Sequence, residues 1–99
     1  MQILVTGRLP EEVLLPLKER YHVEINHEDR PMDRRKLINS LADKEGLLPM
    51  ITDRIDEEVL DHAPHLRMIA NFGVGYNNID IRDATARGIM VSNLSLIHI

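Results

Sequence analysis

The chain has 99 residues, 43% hydrophobic and 28% charged, carries a net charge of −4 and contains no cysteine. That length supports one small globular domain, burying roughly two-thirds of its unfolded surface, and the composition excludes the disordered class, a disulfide framework and a thiolate metal site. No apolar run reaches membrane-spanning length, no signal-peptide flank opens the chain, and scattered cations with only two Tyr and one Phe form no nucleic-acid stripe, so the expected protein is cytoplasmic, off the membrane and free of nucleic acid.

The first apolar run, Ile3-Leu4-Val5, predicts a strand. A helix follows: Pro10 suits its first position, Glu11 and Glu12 complement its dipole, and Val13, Leu14 and Leu17 share one face. Pro16 lies beyond the first turn and predicts a kink, because it removes a backbone donor. The second strand, His22 to Ile25, alternates Val23 and Ile25 with polar neighbours, the pattern of an exposed edge. A second helix carries Leu37, Ile38 and Leu41, with Asp33 as its cap and Met32 stapled to Leu37. The third strand, Leu47 to Ile51, is apolar throughout and contains Pro49, which requires a bulge or an early end to pairing.

A third helix has Asp56 as cap, Ile55 stapled to Leu60, and Val59, Leu60 and Ala63 on one face. Strand four is Met68 to Ala70. The fourth helix, about Asp80 to Arg87, ends on Gly88 as a left-handed residue before the fifth strand, Ile89 to Val91. Five strands alternating with four helices predict an α/β domain with a parallel sheet. With strand two at an edge beside strand one, the order is 2-1-3-4-5, the flavodoxin-like arrangement.

In such a sheet ligands bind beyond the carboxyl ends of the strands. Two segments stand there as expected neighbours, Thr52-Asp53 after strand three and Asn71 to Gly75 after strand four. In Gly73-Val74-Gly75 the glycines let successive N–H groups converge on an anion, a carboxylate or a phosphate. The same glycines also suit a tight strand-to-helix turn with no ligand. The dinucleotide fingerprint fails, because its third glycine position is Asn78 and no acidic residue ends a following strand. Thr6-Gly7-Arg8-Leu9-Pro10 lacks the loop that would cradle a flavin phosphate. A phosphoacceptor reading of Asp53 lacks the acidic pair after strand one, which leaves Asp53 as a surface or helix-capping carboxylate. His62 and His65 flank Pro64 and read as solvated helix-end residues rather than metal ligands. No residue spacing nominates a catalytic acid, base or nucleophile, so the residues alone lead to an anion-binding α/β domain.

The stretch Ile69-Ala70-Asn71-Phe72-Gly73-Val74-Gly75-Tyr76-Asn77-Asn78-Ile79-Asp80, followed by Ala84-Thr85-Ala86-Arg87-Gly88-Ile89 and Val91-Ser92-Asn93, resembles the D-isomer-specific 2-hydroxyacid dehydrogenases, nearest to their glyoxylate and hydroxypyruvate reductase branch. Leu9 to Glu12 and Leu47 to Asp56 resemble the same family, so the likeness spans about residues 2–93. It implies that residues 1–93 are the N-terminal part of a substrate domain. The backbone amides of Val74 and Gly75, helped by the peptide after Gly73, would hold the carboxylate of a 2-oxo or 2-hydroxy acid, with Thr52 near the cleft.

The resemblance also implies hydride transfer from NADH or NADPH bound in a second domain. The arginine, histidine and acid of that chemistry have no counterpart in the chain, so the 99 residues are expected to be inactive alone and to bind no cofactor, while the full-length relative is a homodimer. Leu94 to Ile99 departs from the family pattern and is expected to be an unrelated tail, or else one that extends strand five or packs as a cap. Without the family's crossover helix, part of the sheet should lack cover. The alternative function is a non-catalytic flavodoxin-like module that binds an anion or a partner.

Overall fold

A computed structural model describes residues 1–7, 9–26, 32–50, 52–71 and 78–93. Five strands, β1 (Gln2–Val5), β2 (His22–Ile25), β3 (Gly46–Leu48), β4 (Met68–Asn71) and β5 (Met90–Asn93), alternate with α1 (Glu11–Arg20), α2 (Arg34–Leu41), α3 (Glu57–Asp61) and α4 (Ile81–Ala86). All the strand pairings are parallel and the order is β2-β1-β3-β4-β5, as the sequence predicts. The alternation in β2 reflects its edge position: His22 and Glu24 are exposed while Val23 and Ile25 are half-buried.

Successive strand residues point to opposite faces and build two cores. Leu4, Leu47 and Ile69 pack with Leu37, Leu41, Val59, Leu60 and Ala84, so α2, α3 and α4 cover one face. Ile3, Val5, Leu48 and Ala70 pack with Val13 and Leu17 of α1 on the other. Among the described residues α1 is the only helix on that second face. Beyond it Met90 is 67% exposed, beside its register partner Met68.

Several local expectations shift by a residue or two. Pro10 stands at the N-cap rather than the first helical position, and its carbonyl accepts from Val13 and Leu14, both at 3.0 Å. Helix α1 runs on through Pro16, the ring lying on its exposed side. Strand β3 stops at Leu48, because Pro49 has no N–H to continue the ladder. Asp33 occupies the N-cap of α2 without a side-chain capping bond, so there the backbone closes the first turn, Leu37 N–H donating to the Asp33 carbonyl at 2.8 Å.

Asp56 does cap α3, accepting from Val59 N–H at 3.3 Å, and Asp80 caps α4, accepting from Asp83 N–H at 3.0 Å. At the end of α4, Gly88 has φ +78°, with Gly88 N–H donating to Thr85 and Ile89 N–H to Ala84. These are the two bonds of a Schellman turn, which needs a left-handed residue at that position. Ile89 thereby belongs to the turn, and β5 starts at Met90.

Candidate functional site

The carboxyl ends of the strands carry a continuous band of buried polar groups. Each of the first two strands ends in an apolar residue followed by one polar residue, Thr6 after Val5 and Asn26 after Ile25, and β4 itself ends in Asn71. All three are at most 3% exposed. Burial of such groups is tolerable only when they are hydrogen-bonded. Asn26 donates through Nδ2 to the Thr6 carbonyl at 2.9 Å, and the Thr6 hydroxyl donates to Asp53 Oδ2. Met50 N–H is shared between Asp53 Oδ2 at 2.9 Å and Thr6 Oγ1 at 3.1 Å.

From the far side Asn78 completes the band. Its Nδ2 reaches the Asp53 carbonyl at 3.1 Å, the Met50 carbonyl at 3.2 Å and Asn71 Oδ1 at 3.1 Å, while Asn71 Nδ2 returns a bond to Asn78 Oδ1 at 3.1 Å. The backbone follows suit: Ile55 N–H donates to the Asn78 carbonyl at 2.7 Å, Asp80 N–H to the Ile55 carbonyl at 2.8 Å, and Ile55 bridges to Ile79. The turn after β3 and the segment entering α4 are therefore one rigid unit. No buried side-chain nitrogen or oxygen among the described residues lacks a partner.

This arrangement corrects the reading of Asp53 as a surface or capping carboxylate. It is 5% exposed and holds the β1 and β3 ends together. Thr52, the predicted substrate-side residue, is exposed on the same turn. Gly73, Val74 and Gly75 lie outside the described residues, as does the tail from Leu94 to Ile99. Of the described residues on either side of the glycine segment, Asn78 is bonded to the turn that carries Thr52 and Asn71 is bonded to Asn78, so the end of β4 is joined to that turn through Asn78. The sequence reading reaches Asn71 only as the start of the segment Asn71 to Gly75 and Asn78 only as the failed third glycine position, and it misses Asn26. Their signal is the recurrence of a single polar residue at the carboxyl end of an apolar strand.

Away from this end the polar groups are engaged in ties between helices. Arg34 bonds Asp56 at 2.6 Å and Glu58 at 2.9 Å, linking α2 to α3, while Arg87 bridges Asp83 at 2.8 Å and Asp61. The histidine at the end of α3, His62, places Nδ1 2.9 Å from the Glu58 carbonyl. A groove of about 720 Å³ lies between α2 and α3, but it is open, mixed in charge, and lined by the same committed Arg34 and Glu58. That groove offers volume, whereas the buried polar groups gather at the strand ends.

A nucleotide phosphate does not fit the end of β1. The Thr6 hydroxyl is turned inward to Asp53, whose carboxylate would repel an anion, and the space a side chain would take at Gly7 is occupied by Met50, whose Cγ lies 2.3 Å from an ideal Cβ there. The described residues thus offer no cradle for a dinucleotide, and no helix among them is long and apolar enough to cross a membrane.

Residues 3–97 match the catalytic domain of the D-isomer specific 2-hydroxyacid dehydrogenases. The chain belongs to this family. It is 42% identical over 92 residues to the glyoxylate reductase of Pyrococcus furiosus, covering 93% of this chain and 27% of that protein. It is 44% identical to the glyoxylate reductase of Thermococcus kodakarensis, at 93% and 28% coverage. Among solved structures, the TT0316 protein of Thermus thermophilus superposes with a TM-score of 0.86 at 39% identity, over 92% of this chain and 29% of the other. This 2-hydroxyacid dehydrogenase chain spans little more than a quarter of the length of the relatives it matches.

Proposed function

We propose that the chain supplies the carboxylate-holding part of an NAD(P)-dependent oxidoreductase that interconverts small 2-oxo and 2-hydroxy acids, with glyoxylate or hydroxypyruvate as the 2-oxo acid. The observation that carries this reading is the identity of 42% over 92 residues with a glyoxylate reductase. A solved relative of 32% identity is described as an NADPH-dependent glyoxylate/hydroxypyruvate reductase in complex with NADP and malonate, which pairs a nicotinamide cofactor with a small carboxylate.

In this reading the amides of Val74 and Gly75, with Gly73 allowing their convergence, bind the substrate carboxylate, and Thr52 borders the cleft. The band of buried hydrogen bonds at the carboxyl ends of the strands supplies the rigidity that such a site requires. The dinucleotide, for which the described residues have no cradle, would be held by the part of a longer protein that the relatives possess, and the homodimer belongs to that longer protein. Alone, the 99 residues transfer no hydride.

A chimera tests the proposal. Residues 3–93 of this chain replace their counterparts in the Pyrococcus furiosus glyoxylate reductase, and oxidation of NADH or NADPH is followed with glyoxylate as acceptor. The chimera is expected to reduce glyoxylate while the 99-residue chain does not. Turnover by the 99 residues alone overturns the assignment, and a folded but inactive chimera favours a non-catalytic anion- or partner-binding module.

A further inference from the structure

We infer that the edge strand β2 is a self-complementary docking surface whose partner is a second copy of this chain, added antiparallel about Val23. The contact is independent of the carboxylate reading and separate from the homodimer proposed for the longer protein. Among the described residues β2 pairs only with β1. His22 N–H donates to the Met1 carbonyl at 3.1 Å and Asn26 N–H to the Val5 carbonyl at 2.9 Å, so the even-numbered residues of the strand bond inward. The backbone groups of Val23 and Ile25 therefore point away from the sheet, forming the row on which a further strand can add.

The side chains select the partner. Toward α1, Tyr21, Val23 and Ile25 form a half-buried margin of the core that holds Val13 and Leu48. On the opposite face stand His22 and Glu24, both exposed, and the ammonium of buried Lys44 holds the Glu24 carboxylate at 3.3 Å. An antiparallel strand centred on Val23 sets His22 against Glu24 of the second copy and Glu24 against its His22, while Val23 meets Val23 and Ile25 meets Tyr21. Each apolar side chain then meets an apolar one, and each polar side chain its complement. Centring the pair on Glu24 or on His22 instead opposes two carboxylates or two imidazoles, a destabilising arrangement. Tyr21 N–H already donates to the Leu17 carbonyl at 2.8 Å. The pairing accordingly bonds each Val23 N–H to the opposite Val23 carbonyl and each Ile25 N–H to the opposite Tyr21 carbonyl. Such an interface is small and belongs to the weak class.

Sedimentation equilibrium of the 99-residue chain up to millimolar concentration measures the association, and hydrogen exchange of the Val23 and Ile25 amides reports where it occurs. A concentration-dependent dimer is expected, with both amides becoming protected as it forms. His22→Glu, which opposes carboxylates in both polar pairs, is expected to raise the dissociation constant about tenfold or more. Val23→Pro removes an outward N–H while leaving the ladder to β1 intact, and is expected to abolish the dimer. Met90→Lys, at the exposed methionine of β5, is expected to leave it unchanged. A chain that stays monomeric throughout overturns the inference, as does a dimer that Met90→Lys dissolves or that persists in natively folded Val23→Pro. Should Val23→Pro fail to fold, a dimer of undiminished strength in His22→Glu overturns it instead.

Discussion

Replacing Asp53 by alanine tests whether the buried band is a principal source of stability. The carboxylate is 5% exposed and accepts from the Thr6 hydroxyl and from Met50 N–H at 2.9 Å. Charge-assisted bonds of this kind contribute about 1.5–3 kcal/mol each. Met50 N–H retains the Thr6 hydroxyl oxygen at 3.1 Å, so one of the two losses is partly made good. The expected cost is about 3 kcal/mol, against a total stability of about 5–15 kcal/mol for a domain of this size. At about 4–8 °C per kcal/mol, the melting temperature should fall by about 12–24 °C.

Urea unfolding followed by circular dichroism measures the loss, with the slope m compared between variants to confirm that the same surface is exposed. Asp53→Asn, which keeps one acceptor oxygen, should lose about half as much. Combined with Thr6→Val, the double mutant should be less destabilised than the sum of the singles by about 1 kcal/mol or more. A cost below about 1 kcal/mol for Asp53→Ala at unchanged m, which is what a solvated carboxylate gives, would refute the reasoning.

Gly7→Ala would place a Cβ 2.3 Å from Met50 Cγ and 2.6 Å from its sulfur, and overpacking of this kind should cost about 1–3 kcal/mol in the same urea assay. Met50→Ala in the same chain removes the obstruction and should recover part of that loss. For Asp56, burial pushes the carboxyl pKa up, but the Arg34 guanidinium and Val59 N–H outweigh it and hold the group below its ordinary value of 3.8. The stability it contributes is therefore complete above that ordinary value and lost as pH falls through the lowered one. Urea midpoints taken down from about pH 6 to about pH 2 should show this component in wild type and not in Asp56→Asn.

Legibility in the sequence follows the range of the interaction. Val23 and Ile25 identify an edge strand because period-two burial is written in consecutive residues, and Gly88 marks a helix end because a left-handed φ selects glycine locally. Asp56 was readable as a cap for the same reason, since the donor lies three residues away. Asp33 looks the same in the sequence and yet makes no side-chain capping bond. Pro49 announced the early end of β3 by its missing donor. At the candidate site the family likeness singles out Gly73, Val74, Gly75 and Thr52, whereas composition and spacing reach only an anion-binding turn.

What the sequence determines by itself is the α/β layering, the five strands and the end of the sheet at which a ligand would lie, because each depends on local periodicity and on one rule of parallel sheets. Tertiary structure alone decides that Asp53 is an internal tie and that Asn71 and Asn78 form a pair. Thr6 and Asp53 are 47 residues apart, and Asn78 reaches back 28 residues to Met50. No local pattern encodes which buried donor meets which acceptor over such separations. That pairing emerges only when the strands align and every polar group withdrawn from water must find a partner.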